Sequence, residues 1–66
     1  MKKYKKNDLR LRLQAKMGET VSEKEFARWI GIYCEMTNQP DEIRTAKVLD
    51  REQVKLLSEW LGYELF

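Results

Sequence analysis

Seven cations crowd the first seventeen residues. Lys2, Lys3, Lys5, Lys6, Arg10, Arg12 and Lys16 stand against Asp8 alone, a balance of +6. Gly18 to Phe66 carries six basic and ten acidic side chains, a balance of −4. The net charge of +2 therefore conceals a basic head on an acidic body. Clustered ammonium and guanidinium groups are the chemistry of polyanion binding, because each one that meets a phosphate releases condensed counterions. Arg28, Arg44 and Lys47 add groove or backbone contacts further along the chain. These ten residues are the predicted nucleic-acid contacts, with DNA as the predicted partner.

Other chemistries lack their residues. There is no histidine, so there is no imidazole base or ligand, and Cys34 is the only cysteine. A disulfide within the chain is excluded, and a structural zinc site would need several carboxylates to reach four ligands. The sequence has no Gly-rich phosphate loop and no nucleophile elbow. The paired acids Asp41 and Glu42 suit a helix start better than acid–base work. We expect no catalysis, no metal, no cofactor and no small-molecule substrate. Cys34 falls in an apolar stretch and reads as a small core hydrophobe. A lone thiol and no signal peptide predict a cytoplasmic setting. No apolar run approaches the ~18 residues of a membrane span.

The elements that must position the cations begin with a phrase written twice. In Val21-Ser-Glu-Lys-Glu-Phe26, Ser22 suits an N-cap, Glu25 the reciprocating third position, and Val21 with Phe26 a hydrophobic staple. Leu49-Asp-Arg-Glu-Gln-Val54 repeats the arrangement with Asp50, Gln53, Leu49 and Val54. Two helix starts follow. The last helix carries Val54, Leu57 and Leu61 as an apolar stripe, with Leu56 and Trp60 beside it and Lys55, Ser58 and Glu59 opposite, and Gly62 suits its left-handed C-cap. Trp60, Tyr63, Leu65 and Phe66 read as core or dimer surface. The middle helix either stops at Gly31 or runs on to Asn38-Gln39-Pro40. The continuous stripe Phe26, Trp29, Ile30, Tyr33 favours the longer form. Pro40 with Asp41 and Glu42 opens a short helical turn, and Arg44 to Val48 then reads as a connector.

The head is open to two readings. Leu9, Leu11, Leu13, Ala15 and Met17 alternate with polar residues, a strand pattern, while Leu9, Leu13 and Met17 also fall at helical spacing. Asn7 or Asp8 suits a cap, and the absence of any β-branched residue between Lys2 and Glu19 favours helix. The predicted fold is an all-α, three- to four-helix, helix-turn-helix-like domain over 7–66, with residues 1–6 as a basic flexible arm. The alternative is a β-strand at 8–17 followed by two helices, as in a ribbon-helix-helix dimer.

Phe26-Ala-Arg-Trp-Ile-Gly-Ile32 fits part of a helix-turn-helix phrase: small Ala27 lets helices approach and Gly31 takes the turn. The next helix, about Cys34 to Glu42, contains Pro40 and three acids, which suits DNA poorly. Lys6-Asn-Asp-Leu9, Phe26-Ala-Arg-Trp-Ile30, Val48-Leu-Asp-Arg-Glu-Gln-Val54 and Leu61-Gly-Tyr-Glu64 resemble short, uncharacterised bacterial helix-turn-helix-like proteins with an Arg-Trp-Ile helix and a closing Gln-Val…Leu-Gly helix. That resemblance implies a helical domain and a helix at Asp8–Met17; Tyr33 to Thr45 matches nothing in it.

Sixty-six residues bury only about 60% of the unfolded chain's surface, so the core is thin and self-association is an expected remedy. Two functions compete. One is a small DNA-binding regulatory or accessory protein. The other is a non-catalytic protein-interaction adaptor, with a homodimer as one expected form, suited by two Trp, three Tyr and two Phe in so short a chain.

Overall fold

The structure is a computed structural model that describes residues 3–66. Its elements in chain order are β1 (Lys3–Lys5), α1 (Lys6–Met17), α2 (Glu23–Thr37), α3 (Glu42–Thr45), β2 (Val48–Asp50) and α4 (Arg51–Leu61). Most described residues are helical, and the all-α expectation is corrected by a two-stranded antiparallel sheet. The register pairs Lys3 with Asp50, Tyr4 with Leu49 and Lys5 with Val48. Tyr4 and Leu49 face the core, while Lys3, Lys5 and Val48 face out. Residues 3–6, read from sequence as part of a flexible arm, thus form β1 and the first residue of α1. The Lys6 amide continues the pairing to the Lys47 carbonyl at 3.0 Å. Met1 and Lys2 lie outside the described residues.

The segment 8–17 is helix, not strand. A strand would turn Leu9, Leu11 and Leu13 to one face. The structure buries Leu9 and Leu13 completely and leaves Leu11 45% exposed, as a spacing of i, i+4 requires. Lys5, not Asn7 or Asp8, occupies the N-cap and makes no side-chain cap bond, because the preceding strand already fixes the chain's entry. Asp8 sits in the first turn, where the helix dipole favours it. Gly18 closes α1 at φ 72°, donating to the Gln14 carbonyl.

Helix α2 takes the longer form and passes through Gly31 without interruption. The turn expected there from the helix-turn-helix phrase does not form. Gly31 has no positive φ, and what its missing side chain provides is room: an added Cβ would lie 3.5 Å from Nη2 of Arg44. The left-handed residue is Asn38, at φ 58°, just ahead of Pro40.

The two capping phrases differ in detail. Asp50 and Gln53 form a complete box, with the Gln53 amide donating at 2.8 Å and the Gln53 side chain accepting from the Asp50 amide at 3.0 Å. Ser22 accepts from the Glu25 amide at 3.1 Å, but exposed Glu25 makes no return bond to the Ser22 amide. All four staple residues, Val21, Phe26, Leu49 and Val54, are buried. Gly62 ends α4 at φ 83° as expected.

Ser58 corrects the α4 face assignment. It is 6% exposed, its hydroxyl donates to the Val54 carbonyl at 2.7 Å, and it accepts from the Leu65 amide at 3.1 Å. That second bond draws the tail back so that Leu65 is buried, while Tyr63 and Phe66 stay largely outside. Tyr33 and Trp60 join α2 to α4, ring centroids 5.5 Å apart at 59°.

Gly31→Ala tests the geometry of α2. A Cβ at ordinary contact distance and a better helix former stabilise the protein by up to about 1 kcal/mol in urea unfolding. A turn with positive φ at residue 31 would give destabilisation instead.

Candidate functional site

The predicted cations divide by what their side chains already hold. Lys6, half-buried at the start of α1, donates through Nζ to the Ile43 carbonyl and to the Arg44 carbonyl at 3.0 Å. It ties the N-terminal segment to α3 across 37 residues. Burial pushes its ammonium below the ordinary lysine value, partly opposed by neighbouring Cys34. Arg10 donates to the Val21 carbonyl at 2.7 Å and to Oδ1 of Asn7 at 2.9 Å, bracing the loop between α1 and α2. Its Nε is buried without an acceptor. Arg12 donates to the Leu65 carbonyl at 2.9 Å and lies over the Tyr4 ring at 5.7 Å, fastening the tail to β1.

The others are less occupied. Arg44 covers Gly31 and approaches Asp41 at 4.0 Å, a surface pair of little energetic weight. Lys3, Lys5, Lys16, Arg28 and Lys47 are exposed, and no hydrogen bond or ion pair holds their side chains among the described residues.

Five of the ten converge. Lys5, Lys6 and Arg10 from one side, and Arg44 and Lys47 from the other, rim a groove of about 700 Å³. Its floor is apolar, built by Phe26, Ala27 and Ile30 of α2 with Ala46 and Val48 of the following connection. Glu23 is the one acid in its lining. Three features of the chain create it. The β1–β2 pairing carries Lys5 opposite Val48, the Lys6 bonds fix the end of α3, and α2 runs straight beneath both. Arg12 and Lys16 are not part of this groove; they line another, of about 560 Å³, beside Tyr4, Glu64 and Phe66. Arg28 belongs to neither, and Lys2 lies outside the described residues.

Sequence reading missed the floor. Phe26 and Ile30 read as core, which they are, and Val48 read as connector. No local signal marks Val48 as the exposed apolar residue between two lysines, because that placement comes from a long-range strand pairing. What the groove offers is a set of cations for an anion with apolar side chains among them.

Cys34 is buried, and burial raises its thiol above the ordinary value of 9.0, against the opposing influence of Arg44 and Lys6. It therefore stays protonated and behaves as a core hydrophobe. No group of three or more metal-ligating side chains occurs among the described residues, and no helix there is long and apolar enough to cross a membrane. The chain matches no family model, no curated protein and no solved structure.

The raised thiol has a pH signature. The folded state keeps a proton that the unfolded chain releases near 9.0, so Cys34 stabilises below that value and its contribution falls as pH climbs toward the folded pKa. Tyr33, also raised mainly by burial, acts in the same sense above its ordinary 10.0. Urea unfolding across the alkaline range will show a shallower loss of stability for Cys34→Ala than for the parent. Parallel curves would refute the shift.

Proposed function

We propose that the protein is a non-catalytic nucleic-acid-binding module, a regulatory or accessory factor that holds a phosphate backbone along the groove between the start of α1 and the α3–β2 connection. The observation that carries this is the convergence of Lys5, Lys6, Arg10, Arg44 and Lys47 on one rim with a single acid among them. Lys5 and Lys47 have their full ammonium capacity free for a ligand, and Arg44 has only a long pairing to exchange.

The mode differs from helix-turn-helix reading of a major groove. Such reading needs a presented recognition helix, whereas here α2 continues through Gly31 and α3 has four residues. Contacts from lysines and arginines to phosphates set position and affinity more than sequence. Three phosphate contacts, through Lys5, Arg44 and Lys47, give a fall in log K of roughly 2–3 per decade of salt.

Fluorescence anisotropy with labelled oligonucleotides tests it. Lys5→Glu with Lys47→Glu lowers affinity by about tenfold or more and flattens the salt slope, while Lys55→Glu on the exposed face of α4 changes it by less than about twofold. Equal effects from both would mean only bulk charge matters, and no binding at low salt would end the proposal.

The apolar floor favours a second reading, an acidic protein segment with an apolar anchor, as in the adaptor alternative. A homodimer is compatible with either. Met36 is 71% exposed and Ile32, one turn earlier on α2, is also exposed. If these residues form its surface, sedimentation equilibrium gives a dimer that Met36→Glu converts to monomer; a parent that stays monomeric at every concentration removes the dimer.

A further inference from the structure

We infer that the groove takes an unpaired nucleic-acid strand rather than a duplex, with a base lying on the apolar floor and its flanking phosphates on the rim. This rests on the nucleic-acid reading above and names the class of ligand within it.

The groove's shape decides the matter. Duplex recognition places a protruding helix or ribbon into a groove of the nucleic acid, about 12 Å wide on the major side. Here the relation is inverted, since this site is a groove of the protein whose lining mixes the exposed apolar residues Ala27 and Val48 with the cations Lys5, Arg44 and Lys47. A duplex keeps its base faces stacked inside and would offer this site only sugar and phosphate. Phosphates would reach the rim, and Ala27 and Val48 would stay facing water. An unpaired strand can splay a base outward, and a base face is apolar enough to cover such a floor.

Size and placement agree. About 700 Å³ falls within the ~300–1,000 Å³ of pockets that enclose small organic molecules, so the floor accommodates one or two bases. Val48 is 41% exposed and sits directly across the sheet from Lys5, with Lys47 next to it in the chain. Cross-strand partners lie about 5 Å apart. Lys5 and Lys47, both exposed and both lining the groove with Val48, are then the cations for the phosphates before and after a base resting on Val48. No aromatic ring stands exposed on the floor, Phe26 being 4% accessible, so the contacts are aliphatic and indifferent to base identity. Glu23 marks the end of the rim from which a phosphate is repelled.

Anisotropy with an oligothymidylate, an oligouridylate of equal length and a mixed-sequence duplex of that length tests the inference on the full chain. Both single strands are expected to bind about tenfold more tightly than the duplex, with a salt slope nearer 0.7 than 0.9 per phosphate contact. Preference for either sugar supports the inference equally. Val48→Thr, a substitution of similar shape at an exposed strand position, should weaken single-strand binding about threefold and leave the duplex unchanged. Ala27→Glu, at an exposed helix position, should weaken it about tenfold with circular dichroism and melting unaltered. Duplex binding as tight as single-strand binding, still lost in Lys5→Glu with Lys47→Glu, overturns the inference and leaves the nucleic-acid reading standing. Binding of neither form overturns both, and saturable groove binding of an acidic amphipathic peptide would then assign the site to a protein segment.

Discussion

The pairing of β1 with β2 is the constraint on which the rest of the molecule depends. It is only three residues on each side, too short to persist alone, and it is held from its inner face and from one end. On the inner face Tyr4 and Leu49 are buried against the core formed by α1, α2 and α4. At its end the Lys6 amide and Lys6 ammonium both reach across, to Lys47 and to the last residues of α3. The pairing joins chain segments more than forty residues apart. It thereby converts a basic N-terminal sequence into one wall of a groove whose other wall is Arg44 and Lys47.

That closure sorts the cations by reach. Lys6, Arg10 and Arg12 each donate to backbone carbonyls of segments distant in the chain, at Ile43, Val21 and Leu65. Such charge-assisted bonds contribute about 1.5–3 kcal/mol each, which matters to a domain with so thin a core. Lys3 and Lys5 alternate with Tyr4 on β1 and so must face away from the core. Strand parity, more than any local preference, decides which lysines remain available.

Much of the helical framework was legible in the sequence, because caps and stripes are local. Ser22, the Asp50–Gln53 box and Gly62 act at the positions their types suggest. The helix at 6–17 was legible only in part, since alternation and helical spacing coexist there until the burial of Leu9 and Leu13 without Leu11 separates them. The sheet was not legible: a Lys-Tyr-Lys triplet and a Val-Leu-Asp triplet carry no strand signal until each finds the other. Gly31 misled because a glycine can serve either by conformation or by lack of bulk, and here Arg44 uses the space. Ser58 misled because a hydroxyl facing the core reads as polar until its two bonds are seen. The groove follows the same rule, with its cations visible as a composition and its floor dependent on tertiary contact.

The way these charges are satisfied also explains why the groove's lining stays rich in cations. Although 36% of the residues are charged, the only ion pair among the described residues is Arg44 with Asp41, at 4.0 Å and largely exposed. Lys6 and Arg10 are anchored by carbonyl and amide oxygens, which accept hydrogen bonds without cancelling a unit of charge. Had carboxylates filled those places, the same rigidity would have come with a neutral rim. Lys6 is the clearest case: burial lowers its ammonium pKa, yet neutral carbonyl oxygens hold it in place. For Lys6 and Arg10, lining the groove and closing the fold are therefore two results of one arrangement, a cation bonded to backbone oxygens.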